Sequence, residues 1–386
     1  MPAQQKPHPE LPARQDPVTS EELAGLFTTF SVRGLTLANR FVMPGMQRGW
    51  CKDGAPLPEM AGYYKRRVEG GISLVISESC AVDHPSAQAQ PLAAQLNRAT
   101  ISEWSKCVTA VRSAGGHMFF QLWHEGGLRQ NSDGLTLSAS GYGRPGELNG
   151  RAATIAELHE IRDAYVRSAV LAKSVGASGI EVHAAHGFFL DQMLWKSTNP
   201  RHDEYGGGDI NNRARLHAEI ISAIRAACGQ DFIISLRFSQ WKESDYNARI
   251  AETPDELRTF LRVVSDAGVD LLHASTRRFW VPEWSGSELG LAGWTKQLSG
   301  LPTIAVGSIG LDKDVMESLL TDVEVKSSVG ASLHELARRF GAGEFDLASV
   351  GRSLIADPDW IKKVSNCELK KIRIFRKSDI ASFKWD

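Results

Sequence analysis

Residues Gly179–Gln192 read GIEVHAAHGFFLDQ. An apolar run that ends in His183, a second histidine at His186 and then Gly187 has the pattern of a buried strand opening into a functional loop. Two imidazoles at a strand end can hold one ligand oxygen between them. Two other readings stand beside that one. A strand-end histidine is often a hydrogen-bonded structural residue. A His-x-x-His pair can also bind a metal, but zinc sites usually take a third protein ligand and no obvious third ligand follows nearby. The expectation is therefore no metal, with a metal-dependent barrel hydrolase as the remote alternative.

Outward from this stretch, strand-like runs recur along the chain. They are Phe41–Met43, Ile72–Ser77, His117–Leu122, Gly179–His183, Phe232–Leu236, Val269–Ala274, Pro302–Val306 and Phe345–Val350. Their near-continuous apolar character is that of parallel strands covered on both faces. Between them lie amphipathic stretches such as TISEWSKCVTAVRSAGG, TIAELHEIRDAYVRSAVLAKSVGA, RARLHAEIISAIRAACG and TPDELRTFLRVVSDAG, with Thr or Ser placed to cap and Gly to close. Eight strand and helix units predict the α/β class and a (β/α)8 TIM barrel. An open doubly wound sheet is the runner-up, weakened because the first strand and turn lack a GxGxxG fingerprint.

The composition sets the bounds. A chain of 386 residues with net charge −1, 42% hydrophobic residues and Lys plus Arg 44 against Asp plus Glu 45 carries no charge footprint for nucleic acid or a membrane surface. The expected partner is a small molecule. Five scattered cysteines without a CxxC pair argue against a disulfide scaffold or a cysteine-ligated cluster and favour a reducing, cytoplasmic setting. No basic start with an apolar core and no run of eighteen apolar residues is found, so neither secretion nor membrane spanning is expected. Residues 1–22 are proline-rich and charged, which predicts a flexible leader. Whether the chain forms a homo-oligomer stays open.

In a barrel, the active site lies at the C-terminal strand ends. Polar residues gather there in QLWH (Gln121–His124), HAAH (His183–His186), LRFS (Leu236–Ser239), HASTRRFW (His273–Trp280), VGSIG (Val306–Gly310) and VGRS (Val350–Ser353). Gly307 after the seventh strand, and Gly351 with Arg352 after the eighth, stand where such barrels commonly bind a phosphate. Glycine lets backbone N–H groups approach the oxygens, and arginine supplies a forked donor. The plainer reading of the glycines is that they turn the chain.

These residues resemble the Old Yellow Enzyme family of FMN-dependent barrel oxidoreductases, from about Leu26 to Val364. The matching pieces are NRFVM at Asn39, YYKRRVEGG at Tyr63, QLWHEGG at Gln121, HAAHG at His183, DEYGG at Asp203 with NRAR at Asn212, LRFS at Leu236 and VGR at Val350. FSQWK (Phe238–Lys242) and STRRFW (Ser275–Trp280) suggest a bacterial ene-reductase-like subgroup. With neither the iron–sulfur cysteine cluster nor the C-terminal dinucleotide domain of the wider family read in the sequence, the single-domain form is expected. The resemblance implies an FMN-binding barrel over residues 23–365, with NADH or NADPH as hydride donor and a small activated alkene as acceptor in a ping-pong cycle. It implies that Gln121 bonds the flavin pyrimidine edge and that Arg237 places positive charge near N1 and O2. Met43, Pro44, Gly45 and Met46 would line the ring with backbone from the first strand, Gln47 would stand near flavin O4, and Gly307, Ser308, Gly351 and Arg352 would hold the phosphate. His183 and His186 would donate to the carbonyl oxygen of the alkene and polarise it.

The chain departs from that pattern in places. The family usually has a tyrosine two residues after the second histidine, as proton donor to the α-carbon; here Phe188 stands there, with no exchangeable proton. Water is the favoured substitute. A related flavin dehydrogenase or quinone reductase without efficient ene-reduction is the alternative. Gln47 replaces the usual Thr or Cys near flavin O4, and Arg48 beside it reads as a solvated surface residue. Trp280 and Trp284 are read as an aromatic wall or lid of the substrate pocket. The tail, residues 366–386, alternates basic and apolar residues and is read as a solvated or subunit-contacting end.

Overall fold

The computed structural model describes residues 10–11, 16–130 and 133–381. Eight parallel strands form its centre: β1 (Phe41–Met43), β2 (Leu74–Ala81), β3 (His117–Trp123), β4 (Gly179–His186), β5 (Ile233–Lys242), β6 (Leu271–Ser275), β7 (Thr303–Val306) and β8 (Leu347–Ser349). Each pairs with its sequence neighbour, and β8 pairs with β1, so the sheet closes into the (β/α)8 barrel that the alternating pattern predicts.

Strand alternation explains the two apolar layers. Val42, Leu74, Ile76, Phe119, Ile233, Leu271, Ile304 and Leu347 form one cluster inside the barrel, together with Phe30, Leu35 and Leu37 from the hairpin of Phe30–Val32 with Leu35–Leu37. That hairpin turns at Arg33 and Gly34, both with positive φ, where glycine adopts the left-handed conformation without strain. The neighbouring strand residues, such as Phe41, Met43, Val75, Phe120 and Val182, join a second cluster with the helices.

The helices that cover the strands begin and end where local chemistry dictates. They include α1 (Glu59–Glu69), α2 (Ile101–Ser113), α3 (Ile155–Ser174), α4 (Ile210–Cys228), α5 (Pro254–Asp266), α6 (Leu291–Ser299), α7 (Val329–Gly341) and α8 (Trp360–Ser365). Thr154 caps α3 in a reciprocal box with Glu157, Thr253 caps α5 ahead of Pro254, and Gly229 closes α4 with φ 80°.

Several pieces of the sequence motifs turn out to be scaffold. Asn39 accepts from Phe41 N at 3.0 Å and donates to Gly71 O at 2.8 Å, tying the entry of β1 to that of β2. Arg67, buried over the Tyr63 ring at 3.7 Å, donates to Leu354 O and Ile355 O, both at 3.1 Å. It thereby anchors the short helix that follows Gly351.

Both chain ends differ from expectation. Most of the leader read over 1–22 lies outside the described residues, but its last part is packed and not free. Val18 is buried, Thr19 caps a short helix at Ser20–Leu23, and Glu22 accepts from His334 at 2.6 Å. The tail is likewise folded back on the barrel as far as Ala381, with Phe375 buried against Leu311, Ile355 and Ala356. Alternating basic and apolar residues fit an edge-docked segment as well as a solvated one, and only the barrel surface decides between them.

Candidate active site

A cavity of about 500 Å³ opens at the C-terminal ends of the strands. Its walls gather residues far apart in sequence: Pro44–Gln47 after β1, Gln121 and Trp123 on β3, His183 and His186 on β4, Arg237 on β5, Gly307 and Ser308 after β7, Gly351 and Arg352 after β8. Phe188 lines the same space.

The polar floor is built around Glu181, fully buried on β4. Its Oε1 accepts from Gln121 Nε2 at 2.8 Å, and its Oε2 accepts from His273 Nδ1 at 2.7 Å and Ser235 Oγ at 3.2 Å. Burial alone would raise this carboxyl, but His273, its hydrogen bonds and Arg237 hold it below the usual carboxylate range. Ser79 Oγ donates to Gln121 Oε1 at 2.5 Å. The amide is therefore fixed at both ends, with one N–H and one lone pair left for a ligand.

Arg237 donates to Gly45 O and to Ser275 Oγ, both at 3.2 Å, and its Nε has no hydrogen-bond partner among the described residues. Ser349 Oγ, also in the wall, is unpaired in the same sense. Buried polar atoms of this kind normally have partners, so a ligand with acceptors is expected against them. Gly45 has no space for a side chain, since a Cβ there would stand 2.7 Å from Ser77 O and 2.8 Å from the Gln121 amide. Backbone and amide thus present one flat polar edge beside a cation. These are the donors that the pyrimidine half of a flavin takes, so the residues present fit FMN.

At the far end, Gly307 has φ 151°, and a Cβ there would meet Thr276 Oγ1 at 2.6 Å. Arg352 is the cation of that end, with Nη2 on Ser308 Oγ at 3.1 Å and Lys313 O at 2.8 Å. Burial draws it down to about 10, with Asp314 and Glu317 opposing, so it stays charged at neutral pH.

The two histidines are brought together, ring centroids 5.2 Å apart and nearly perpendicular. His186 takes φ +66°, a conformation costly for a side chain and held here from both sides. Its N–H donates to Ser239 Oγ at 3.0 Å, and its carbonyl accepts from Glu243 N at 3.3 Å. The next amide, Gly187 N, donates to Asp191 Oδ2 at 2.6 Å; Lys242 neutralises Asp191 at 2.7 Å, and both side chains are fully buried. Burial, then the Arg237 charge, draws His183 down to about 3 and His186 well below its ordinary value, so both rings are neutral. His183 Nδ1 accepts from Ala185 N at 3.3 Å, which leaves Nε2–H as its donor. His186 Nε2 shares a hydrogen with Ser275 Oγ at 2.8 Å. Among the described residues, no group of three or more His, Cys, Asp or Glu side chains is placed to hold a metal ion.

Two expected pocket residues, Trp280 and Trp284, lie elsewhere, and Met43, expected to contribute backbone, turns its side chain away from the cavity. Met43 belongs to the outward-pointing set of β1 and packs among the helices. Trp280 is buried in that layer, and its carbonyl accepts from Arg339 at 2.8 Å. Trp284 stacks edge-on against Trp294 at 5.4 Å and donates to Glu252 O at 2.8 Å. The aromatic wall is made instead by Trp123, Trp241 and Phe188. Trp241 sits 4.8 Å from the His186 ring and donates to Ser275 O at 3.1 Å. Both tryptophans stand inside motifs, QLWH and FSQWK, so their neighbours were the available signal. Arg48 is not a solvated residue either: it is 5% exposed, its guanidinium stacked over Trp50 at 4.3 Å.

A closed parallel barrel whose strand ends join a buried cation, a fixed amide, a glycine-rich cationic end and two neutral imidazoles defines a flavin-dependent barrel oxidoreductase. Residues 25–325 match the NADH:flavin oxidoreductase / NADH oxidase family, and the chain belongs to that family, which includes the Old Yellow Enzyme homologues and takes FMN. It is 32% identical over 371 residues to an NADH oxidase of Thermoanaerobacter brockii, covering 90% of this chain and 52% of that one. It is 32% identical over 230 residues to 12-oxophytodienoate reductase 7 of Oryza sativa subsp. japonica, covering 55% and 57%. The chain thus spans about half the length of these two relatives. The old yellow enzyme homologue from Zymomonas mobilis has the same fold, with TM-score 0.76 at 22% identity over 94% of this chain and 99% of that one. No helix among the described residues is long and apolar enough to cross a membrane.

Proposed function

We propose that the protein reduces the C=C bond of α,β-unsaturated carbonyl compounds, or similarly activated alkenes, with hydride taken from NADH or NADPH. The observation that carries this reading is the neutral His183–His186 pair, buried beside Arg237 in the same cavity as Gln121 and Gly45. FMN bound here would supply the hydride transfer between nicotinamide and alkene. Gln121 and the Pro44–Gln47 backbone hold the pyrimidine edge. Arg237 favours negative charge there, and Gly307, Ser308, Gly351 and Arg352 hold the phosphate. His183 Nε2–H and the His186 ring donate to the substrate carbonyl oxygen. They draw electron density from the β-carbon and stabilise the enolate that forms. Neutral imidazoles suit this role, because they donate without losing a proton to the oxygen. Phe188 and Trp123 keep that face apolar, and solvent supplies the α-carbon proton. Nicotinamide and alkene take the same face in turn.

One observation favours a second reading, a quinone reductase with poor ene-reduction. Phe188 has no proton to give, and no tyrosine lines the cavity among the described residues. A quinone takes its protons on oxygen, where water reaches them. The deciding experiment is anaerobic reduction of the flavoprotein by each nicotinamide, followed by reoxidation with enones, nitroalkenes, maleimides and quinones. Reoxidation by enones with reduced C=C product is expected. Reoxidation by quinones and oxygen alone would overturn the proposal.

A further inference from the structure

We propose that the segment Cys367–Ala381 is a strap that forms one wall of the cofactor cavity, that Arg48 fastens it, and that FMN and the docked strap hold each other in place. Ile380 lines the cavity and, like Met46 and Leu319, packs against the cluster of Leu311, Ile355, Ala356 and Phe375. Met46 and Leu311 line it as well, so the strap and the cavity share a wall.

The strap is tied at three points. Arg373 N donates to Asp357 Oδ2 at 2.8 Å, and its Nε donates to Ala356 O at 2.7 Å. Phe375 is 1% exposed, with the Arg352 guanidinium 5.9 Å above its ring. Last, Arg48 Nη2 donates to Asp379 O at 3.1 Å and to Ile380 O at 3.0 Å. Arg48 is the natural fastener because its charge is buried over Trp50 and Tyr63, with Nε and Nη1 unpaired among the described residues. A buried guanidinium is costly without acceptors, so the strap carbonyls satisfy it and are held in return.

Arg48 follows Met46 and Gln47, which face the cavity, and Arg352 stands between the phosphate end and Phe375. Whatever fills the cavity therefore orders the residues that grip the strap. Coupling of this kind is reciprocal: a docked strap slows FMN release, and bound FMN keeps the strap docked.

The inference rests on FMN occupying this cavity, and the test separates the two. Full-length apoprotein and FMN-loaded protein are treated with limiting trypsin, and cleavage at Lys370, Lys371, Arg373, Arg376 and Lys377 is followed by mass. FMN is expected to slow cleavage at these sites by about tenfold or more, the effect of one charge-assisted hydrogen bond made or lost. FMN release, read from the return of flavin fluorescence, is expected to be about tenfold faster in Arg48→Met, which keeps the stacking volume and removes the donors. Ile380→Ser, on the partly exposed wall, gives the same reading without disturbing the buried cation, and it decides the matter if Arg48→Met does not fold. Cleavage indifferent to FMN, with unchanged release in the folded variants, would overturn the strap while leaving the cofactor in place. Wild-type protein that quenches no FMN fluorescence would overturn the cofactor placement and the strap with it.

Discussion

Phe188 stands edge-on to His183, ring centroids 5.3 Å apart, and edge-on to Trp123 on its other side at the same distance. The position is thus wedged between the His183 imidazole and an indole whose N–H has no partner among the described residues. A hydroxyl added at the ring edge would enter the cavity that Phe188 lines. Phe188→Tyr is expected to speed oxidation of the reduced enzyme by weakly activated enones by about 10²-fold, the lower end of what a general acid contributes. Strongly activated nitroalkenes and maleimides should change little. Single-turnover stopped-flow measures this, and equal rates for both classes would contradict it.

Glu181 touches no cavity surface, yet it fixes Gln121, His273 and Ser235. Glu181→Gln keeps the volume but presents an N–H to groups that already donate. Gln121 is then free to rotate away from the flavin edge. The expected result is FMN binding weakened by about tenfold, with the melting transition still cooperative. Titration of apoprotein by flavin fluorescence quenching checks it; unchanged affinity would remove Glu181 from the supporting role.

Much of this was readable from the sequence because parallel strands covered on both faces must be apolar runs. All eight runs proved to be barrel strands, and their polar ends marked the cavity. Side-chain direction was harder to read. Met43 was expected to offer backbone, and strand alternation turns its side chain outward while Val42 points in. Trp280 and Trp284 have the surface area of a lid, yet Arg339 and Glu252, contacts far along the chain, hold that loop over the helices. β5 runs beyond Leu236 to Lys242 because Ser239, accepting from His186 N, and Lys242, paired with Asp191, find buried partners that no local pattern announces. The role of Arg48 has the same origin, since its acceptors lie 331 and 332 residues away.

Lys242 and Asp191 carry the left-handed turn at His186. Lys242→Met leaves Asp191 buried and uncompensated, which is expected to cost about 3–5 kcal/mol in urea unfolding. Asp191→Asn together with Lys242→Met keeps an acceptor for Gly187 N–H and removes both charges. The double variant should recover most of the stability and also the oxidative half-reaction. A double variant as damaged as the single one would mean that the charges, and not the hydrogen bond to Gly187, hold the turn.

The buried histidines set an acid limit on the fold. His183 is drawn down to about 3 and His217 to about 4, and His124 and His186 are well below their ordinary value, all chiefly by burial. Each is neutral when folded and protonates near pH 6.5 when unfolded, so unfolding takes up protons and stability falls as pH drops below about 6.5. Asp191, pushed up to about 6 by burial, works the other way: folded protein takes its proton first, which offsets one histidine between about 6 and 3.8. Taken by themselves, these four histidines and one aspartate give an uptake of about three protons, or roughly 4 kcal/mol per pH unit; Glu78, Glu243 and Glu283, raised by burial, oppose it and His273, lowered by burial, adds to it. A domain at the lower end of the usual range, about 5 kcal/mol, is then expected to unfold near pH 5 without denaturant. The urea midpoint should be nearly flat from pH 8 to 7 and fall steeply below 6. A midpoint that holds steady to pH 4.5 would show that these imidazoles reach water in the folded protein.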